Sequence, residues 1–383
     1  MERIRIAIVS DIPGTEKSGM AAAVSNLQSY LRARGHMVRV ICDDEEREGQ
    51  AGYVVVRPAP EEQKTGLIRN LFKKDAPMFS VEEQAQMKAA LSGVDIVHII
   101  TPFRLGTLAL QTAQALLIPV TADFHFPLPE LKAREKALQD PVIRDESYEA
   151  LYERFYSKVK VIHYPTSYLR DLLESAVGRT SGKVIYNGVS AKFEKAEVRR
   201  PELFKDLFVI LYIARFTEEK SHTVLIDAVR YSAYESGIQL IFAGEGPLQE
   251  ELTKYAKDLT HPPVMRYFTR SELQKIMNCS DLYVHAAEVD TESVSCIEAA
   301  CCGLVPVIAN APQSAARFYA VGNKNLFQYD DPLDLASKIE YWMSHPEEKK
   351  KLSLRYQSFT KEFSLMTCME KLEKMLYEAS GRS

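Results

Sequence analysis

Residues 282–310 read LYVHAAEVDTESVSCIEAACCGLVPVIAN. The apolar run Leu282–Ala286 has the composition of a strand buried on both faces. An acidic loop with Glu288, Asp290 and Glu292 follows it, then a short helical pattern that Gly303 ends, then a second apolar run, Val305–Ala309. Strand, loop, helix and strand in that order form the unit of a parallel α/β sheet. The loop then falls at the carboxyl edge of the sheet, where open sheets of this kind bind ligands. Backbone N–H groups around Ser293–Ser295 lack partners inside the helix and suit a phosphate or hydroxyls. Glu298, in the first turns, is placed to accept both hydroxyls of a diol.

The same alternation extends outward in both directions. Strand candidates in the first half are Ile4–Val9, Val38–Cys42, Tyr53–Val56, Ile96–Ile100, Val120–Phe124, Val159–His163 and Val184–Ile185. A second series starts afresh with Phe208–Ala214, Gln239–Ala243 and Met265–Phe268. Between the two series lies a charged stretch, Glu194–Lys205, with Arg199-Arg200-Pro201 inside it, which reads as a linker. The expected class is α/β, with two doubly wound Rossmann-like domains facing across a cleft, over residues 1–198 and 199–363. The last helical pattern, in 364–383, is expected to pack back on the first domain.

A chain of 383 residues with 46% hydrophobic and 26% charged residues is an ordinary globular protein. Its net charge of −4 is spread without basic clusters, so a nucleic-acid partner is excluded. The start, MERIRIAIVSD, is no signal peptide, and no apolar run is long enough to span a membrane, which points to a cytoplasmic protein. The six cysteines have no metal-type spacing, and adjacent Cys301 and Cys302 read as small packing residues. Metal sites are therefore expected to be none; a carboxylate site at 288–292 would need more oxygen ligands. The loop after the first strand carries Gly14 and Gly19 without the GxGxxG spacing, so the dinucleotide fingerprint fails. His98, at the end of a buried strand, reads as structural.

Four segments carry a family resemblance. Glu298-Ala-Ala-Cys-Cys-Gly303-Leu-Val-Pro306-Val-Ile-Ala resembles the second half of the Glu-x7-Glu region of retaining GT-B glycosyltransferases of family 4, with Asp290 at the first carboxylate position and Glu292 beside it. LYIARFTEEKSHTVLIDAVR, residues 211–230, is similar to the family's strand, Arg-x4-Lys and helix. IFAGEGPLQEEL (241–252) matches its Gly-x-Gly-Pro turn at Gly244, and VIYNGVSAKF (184–193) its Asn-Gly-Val segment, with Ser190 where Asp is common. In the first half, TADFH sets His125 at a strand end and Gly19 precedes a helix, as in that family.

The resemblance implies transfer of a hexose from a nucleotide sugar, UDP-glucose in type, to a hydroxyl acceptor with retention and without a metal cofactor. Arg215 and Lys220 would meet the donor diphosphate, where negative charge grows. Glu298 would hold the ribose. Asp290, Glu292, Ser293, Val294 and Gly244 would line the donor, Gly19 would lie beside its phosphates, and His125 would serve the reacting sugar. Bacterial diacylglycerol glucosyltransferases are the members it resembles, which implies a lipid acceptor and peripheral membrane contact. Thr65–Lys74, TGLIRNLFKK, has the amphipathic pattern of an interfacial helix and equally that of a core-facing one. A soluble or polysaccharide acceptor, nucleotide-sugar epimerisation and a non-catalytic nucleotide-sugar-binding subunit are the rival readings.

Overall fold

A computed structural model describes residues 2–11, 19–57, 79–125 and 148–382. The chain divides into two compact units, Met1–Asn187 with Cys368–Ser383, and Gly188–Thr367. The division falls ahead of the expected one at 198. Glu194–Lys205 is also no loose linker: the Arg200 guanidinium donates to the Cys279 carbonyl oxygen at 2.8 and 3.0 Å and pairs with Asp281. Asn278 Oδ1 accepts the Ala196 N–H at 2.8 Å, so the segment is bound to the second unit.

Among the described residues the first unit holds seven strands: β1 (Arg5–Val9), β2 (Met37–Cys42), β3 (Tyr53–Val55), β4 (Ile96–Ile99), β5 (Val120–Asp123), β6 (Val161–Tyr164) and β7 (Gly182–Val184). All pair in parallel, in the order β3-β2-β1-β4-β5-β6-β7. Apolar runs drive this: β1 and β4 bury nearly every residue, so both faces of the sheet are covered. The crossovers are helices α1 (Gly19–Ala33), α2 (Val81–Ala90), α3 (Arg104–Ala115), α4 (Tyr148–Arg154) and α5 (Ser167–Val177). Asp11, just after β1, accepts the Gly106 N–H at 3.1 Å and the Thr101 hydroxyl at 2.9 Å, which caps α3. Burial pushes the Asp11 carboxyl up to about 7 despite these donors.

The second unit's sheet orders β10-β9-β8-β11-β13-β15, from β8 (Phe208–Ile213), β9 (Ile238–Ala243), β10 (Val264–Arg266), β11 (Leu282–His285), β13 (Pro306–Ala309) and β15 (Leu326–Phe327). A small parallel pair, β12 (Val289–Asp290) and β14 (Gln313–Ser314), stands apart. Helices α6 (His222–Tyr231), α7 (Gln249–Tyr255), α8 (Arg270–Cys279), α9 (Val294–Cys301), α10 (Pro332–Ser344) and α11 (Pro346–Phe359) connect them. The strand order reverses between β8 and β11, the position in an open parallel sheet at whose carboxyl edge ligands bind. All twelve expected strands have a counterpart. The seventh shifts to Gly182–Val184, and the very short β12, β14 and β15 were not anticipated.

Helix α12 (Leu365–Ala379) closes the chain. Its Glu373 carboxylate accepts from Tyr30 Oη at 2.9 Å and Arg34 Nε at 3.2 Å, and lies 2.9 Å from His36 Nε2. Lys160 Nζ donates to the Ala379 carbonyl at 2.8 Å. These bonds fasten the C-terminal segment to the first sheet. Among the described residues, no helix is long and apolar enough to cross a membrane. Thr65–Lys74 lies outside the described residues.

Candidate active site

In the second unit, the loops after β8 and β11 are tied to each other. Glu288 N–H donates to the Glu219 carbonyl at 2.8 Å, and Lys220 Nζ donates to the Val289 carbonyl at 2.8 Å. The glycine turn after β9 supports the first of these loops. A Cβ at Gly244 would stand 1.9 Å from the Ala214 carbonyl oxygen, and one at Gly246 2.5 Å from that of Phe216. Phe216 N–H in turn donates to the Glu245 carbonyl at 3.1 Å. Gly244 therefore acts first through backbone approach, holding the loop that displays Arg215. Arg215 is exposed, and its guanidinium has no hydrogen bond or ion pair among the described residues.

Asp290 is the hub of the second loop. Its Oδ1 accepts the Ser293 N–H at 2.8 Å, while Oδ2 lies 3.3 Å from Lys220 Nζ and 3.4 Å from His285 Nε2. Burial would raise this carboxyl, but Lys220, His285 and the Ser293 N–H outweigh it and hold it well below the usual range. Both oxygens of Asp290 thus have partners within the second unit. Glu292 is half-buried, and its carbonyl accepts from Tyr319 Oη at 2.9 Å.

Ser293 precedes α9 with φ +54°, a left-handed backbone that costs on the order of 1–3 kcal/mol outside glycine. Its Oγ is buried without a hydrogen-bond partner among the described residues. Val294 opens the helix, whose first N–H groups have no partner within it. Glu298 follows on α9, 2% exposed, with its carboxylate against the Arg270 guanidinium. The structure therefore joins Lys220, Asp290, Ser293 and Val294 in one hydrogen-bonded region and sets Glu298 farther along the same helix.

In the first unit, His125 follows β5, and its Nε2 lies 3.0 Å from Asp123 Oδ2. Asp123 Oδ1 faces His163 Nδ1 at 2.7 Å and His98 Nε2 at 3.1 Å. His163 Nε2 faces the Ile185 carbonyl at 2.6 Å, so both its ring nitrogens meet oxygen atoms. His98 Nδ1 contacts Thr121 Oγ1 at 2.9 Å. Burial disfavours the Asp123 carboxylate, yet His98 and His163 hold its carboxyl well below the ordinary value. His98, Asp123 and His163 also converge closely enough to form a metal-ligand set. Their separations of 2.7 and 3.1 Å are those of carboxylate–imidazole contacts. Gly19 opens α1.

Sequence reasoning missed Asp123, His163, His285 and Arg270. Parallel register explains the first two: His98 pairs with Thr121, and Asp123 with His163, so the side chains share one face of the sheet. Within the sequence, the signal was the i, i+2 spacing of Asp123, which ends β5, and His125.

The family described as "Glycosyl transferases group 1" matches residues 194–358, and "Glycosyltransferase Family 4" matches residues 17–193. The alpha-monoglucosyldiacylglycerol synthase of Streptococcus pneumoniae is 24% identical over 324 residues, 80% of this chain and 71% of that one. The synthase of the same name from Acholeplasma laidlawii is 22% identical over 94% of both chains. Among solved structures, Anabaena HepE in complex with UDP-glucose aligns with TM-score 0.74 and 16% identity, over 98% of this chain and 100% of that one, a likeness of fold. Motifs, fold and family matches over 17–358 agree: the chain belongs to the group 1, family 4 glycosyltransferases of GT-B fold, enzymes that use a nucleotide-sugar donor.

Proposed function

We propose that this chain is a retaining, metal-independent hexosyltransferase that moves glucose from a UDP-glucose-type donor to a hydroxyl of diacylglycerol or a related lipid. The observation that carries the donor reading is the pairing of two loops at the β8/β11 switch point. One displays Arg215 and the other ends in Ser293 at the start of α9, and neither the Arg215 guanidinium nor the Ser293 Oγ has a partner among the described residues. Cations, a buried hydroxyl and a helix N-terminus together suit a diphosphate.

In this reading the bond from the anomeric carbon to the diphosphate breaks while the acceptor oxygen bonds to that carbon on the same face. The departing phosphate oxygen takes the acceptor's proton, and Arg215 and Lys220 balance the charge left on the diphosphate. No divalent cation is needed for that task. Lys220 is anchored by Val289 and Asp290, so it presents a fixed charge, whereas Arg215 is free to close on the leaving group. Asp290 orders the loop, and Glu292, beside it, meets the sugar hydroxyls. Glu298 receives the ribose diol, and Gly19 lies beside the phosphates, as the family resemblance implies. His125 serves the transferred sugar, with Asp123 fixing its ring. The acceptor reading, with its expectation of peripheral contact at the inner membrane face, rests on the two glucosyldiacylglycerol synthase relatives.

The test is a panel of nucleotide sugars offered with diacylglycerol in mixed micelles or with water-soluble sugars. Glucosylation of the lipid from UDP-glucose is expected. Efficient transfer to a soluble acceptor but not to diacylglycerol would overturn the acceptor, and turnover of none of the donors would overturn the whole.

A further inference from the structure

Glu298 presents a physical problem that its neighbours solve. Its carboxylate lies on the inner side of α9 with the side chain 3% exposed, and burial drives the carboxyl upward toward its neutral form. A neutral acid offers one hydroxyl donor and less acceptor capacity, which ill suits two incoming diol hydroxyls. One cation stands against it. Arg270 Nη2 donates to Oε1 at 2.5 Å and Nη1 to Oε2 at 3.3 Å. The guanidinium stacks over the Phe193 ring, 4.5 Å from its centroid, while its side chain remains 64% exposed.

The placement of Arg270 gains α8 nothing. It is the first residue of that helix, where the macrodipole disfavours a cation. The helix start is already capped by Thr269 and Glu272 in a reciprocal box. What the position does provide is an end-on, two-pronged contact through Nη1 and Nη2 that leaves further lone pairs on both carboxylate oxygens.

We propose that Arg270 is a positioning residue for donor binding: its two-pronged contact offsets the buried charge of Glu298 and fixes its two oxygens so that they accept the ribose diol. The proposal rests on Glu298 being the ribose acceptor. From the end of α9 and the residue after it, the Cys301 and Cys302 thiols lie near the same carboxylate, and burial pushes both up, so they stay uncharged near neutrality. From β11, β13, α11 and the 360–363 turn packed on α9, no other charge acts on Glu298 among the described residues.

The experiment measures UDP affinity by calorimetry, and transfer kinetics, between pH 6 and 9. It compares the parent, Arg270→Ala, Arg270→Lys and Glu298→Gln. Arg270→Ala, at an exposed position, is expected to weaken UDP binding and raise the donor KM about tenfold or more near pH 6–7. The kcat should stay near that of the parent, and the defect should shrink as rising pH ionises Glu298 unaided. Arg270→Lys should recover part of the loss. A 2′,3′-dideoxy analogue of UDP, which has no diol, should bind the parent and Arg270→Ala alike. If Glu298→Gln weakens UDP binding while Arg270→Ala does not, or does so equally at every pH, the inference about Arg270 fails alone. If Glu298→Gln binds UDP as the parent does, the ribose reading of Glu298 falls, and this inference with it.

Discussion

Two charged regions, one in each unit, treat charge in opposite ways. In the first, Asp123 is buried under His98, His163 and His125, with its negative charge compensated inside the fold. In the second, Arg215 is exposed with no ion-pair partner among the described residues, and Lys220 is tied by a single carboxylate at 3.3 Å. A compensated buried charge sets geometry and contributes mainly to stability when its partners are complete. An uncompensated exposed cation contributes little to the resting fold and is available to an anionic ligand. The difference teaches where in this chain a substitution should cost stability and where it should cost turnover.

The largest expected effect follows from the buried side. Asp123→Ala removes the acceptor shared by three imidazoles, and breaking a buried ionic cluster from one side costs about 3–5 kcal/mol. Thermal unfolding of the variant should report a loss of that order; a variant as stable as the parent would show that the histidines are satisfied without it. The exposed side predicts the reverse. Arg215→Ala should leave thermal stability unchanged and slow transfer about a hundredfold or more, since one such donor at a leaving group is worth about 2.7–4 kcal/mol. Unchanged turnover in a well-folded Arg215→Ala protein would remove the diphosphate assignment.

That contrast also explains how much was legible in the sequence. Arg215 and Lys220 are five residues apart, and Asp290, Ser293 and Glu298 occupy one loop and one helix. Each group is local in sequence, so the likeness of its spacing to the family's motifs carried it. The cluster around Asp123 draws on β4, β5 and β6, and only the parallel register brings His98 and His163 to one carboxylate. Spacing does not carry strand order. The same limit hid Arg270, which meets Glu298 across 28 positions in sequence. Strands were legible because long apolar runs such as Ile238–Ala243 are buried throughout, whereas the two-residue β12 and β14 have no pattern to detect.

A smaller effect sharpens the comparison within the second unit. His222 is buried among Tyr212, Phe216 and Phe242, and neither ring nitrogen has a hydrogen-bond partner among the described residues. Burial, helped by Lys220, pushes its pKa down to about 3. The unfolded chain takes up this proton near pH 6.5 and the folded one does not, so stability is lost as pH falls from about 6.5 toward 3, by roughly 1.4 kcal/mol per pH unit. His222→Phe should flatten that part of the profile in denaturant unfolding at pH 4–7. An unaltered profile would mean that His222 is protonated in the native fold.

The central claim is retaining transfer from a nucleoside diphosphate sugar with charge balanced by Arg215 and Lys220 instead of a metal. Its most direct test is proton NMR of the glucosylated lipid formed from UDP-glucose in excess chelator. The account predicts product at an undiminished rate, with the small anomeric coupling of an α-glucoside. A β-glucoside, or a reaction that stops with chelator and resumes with Mg²⁺ or Mn²⁺, would contradict it.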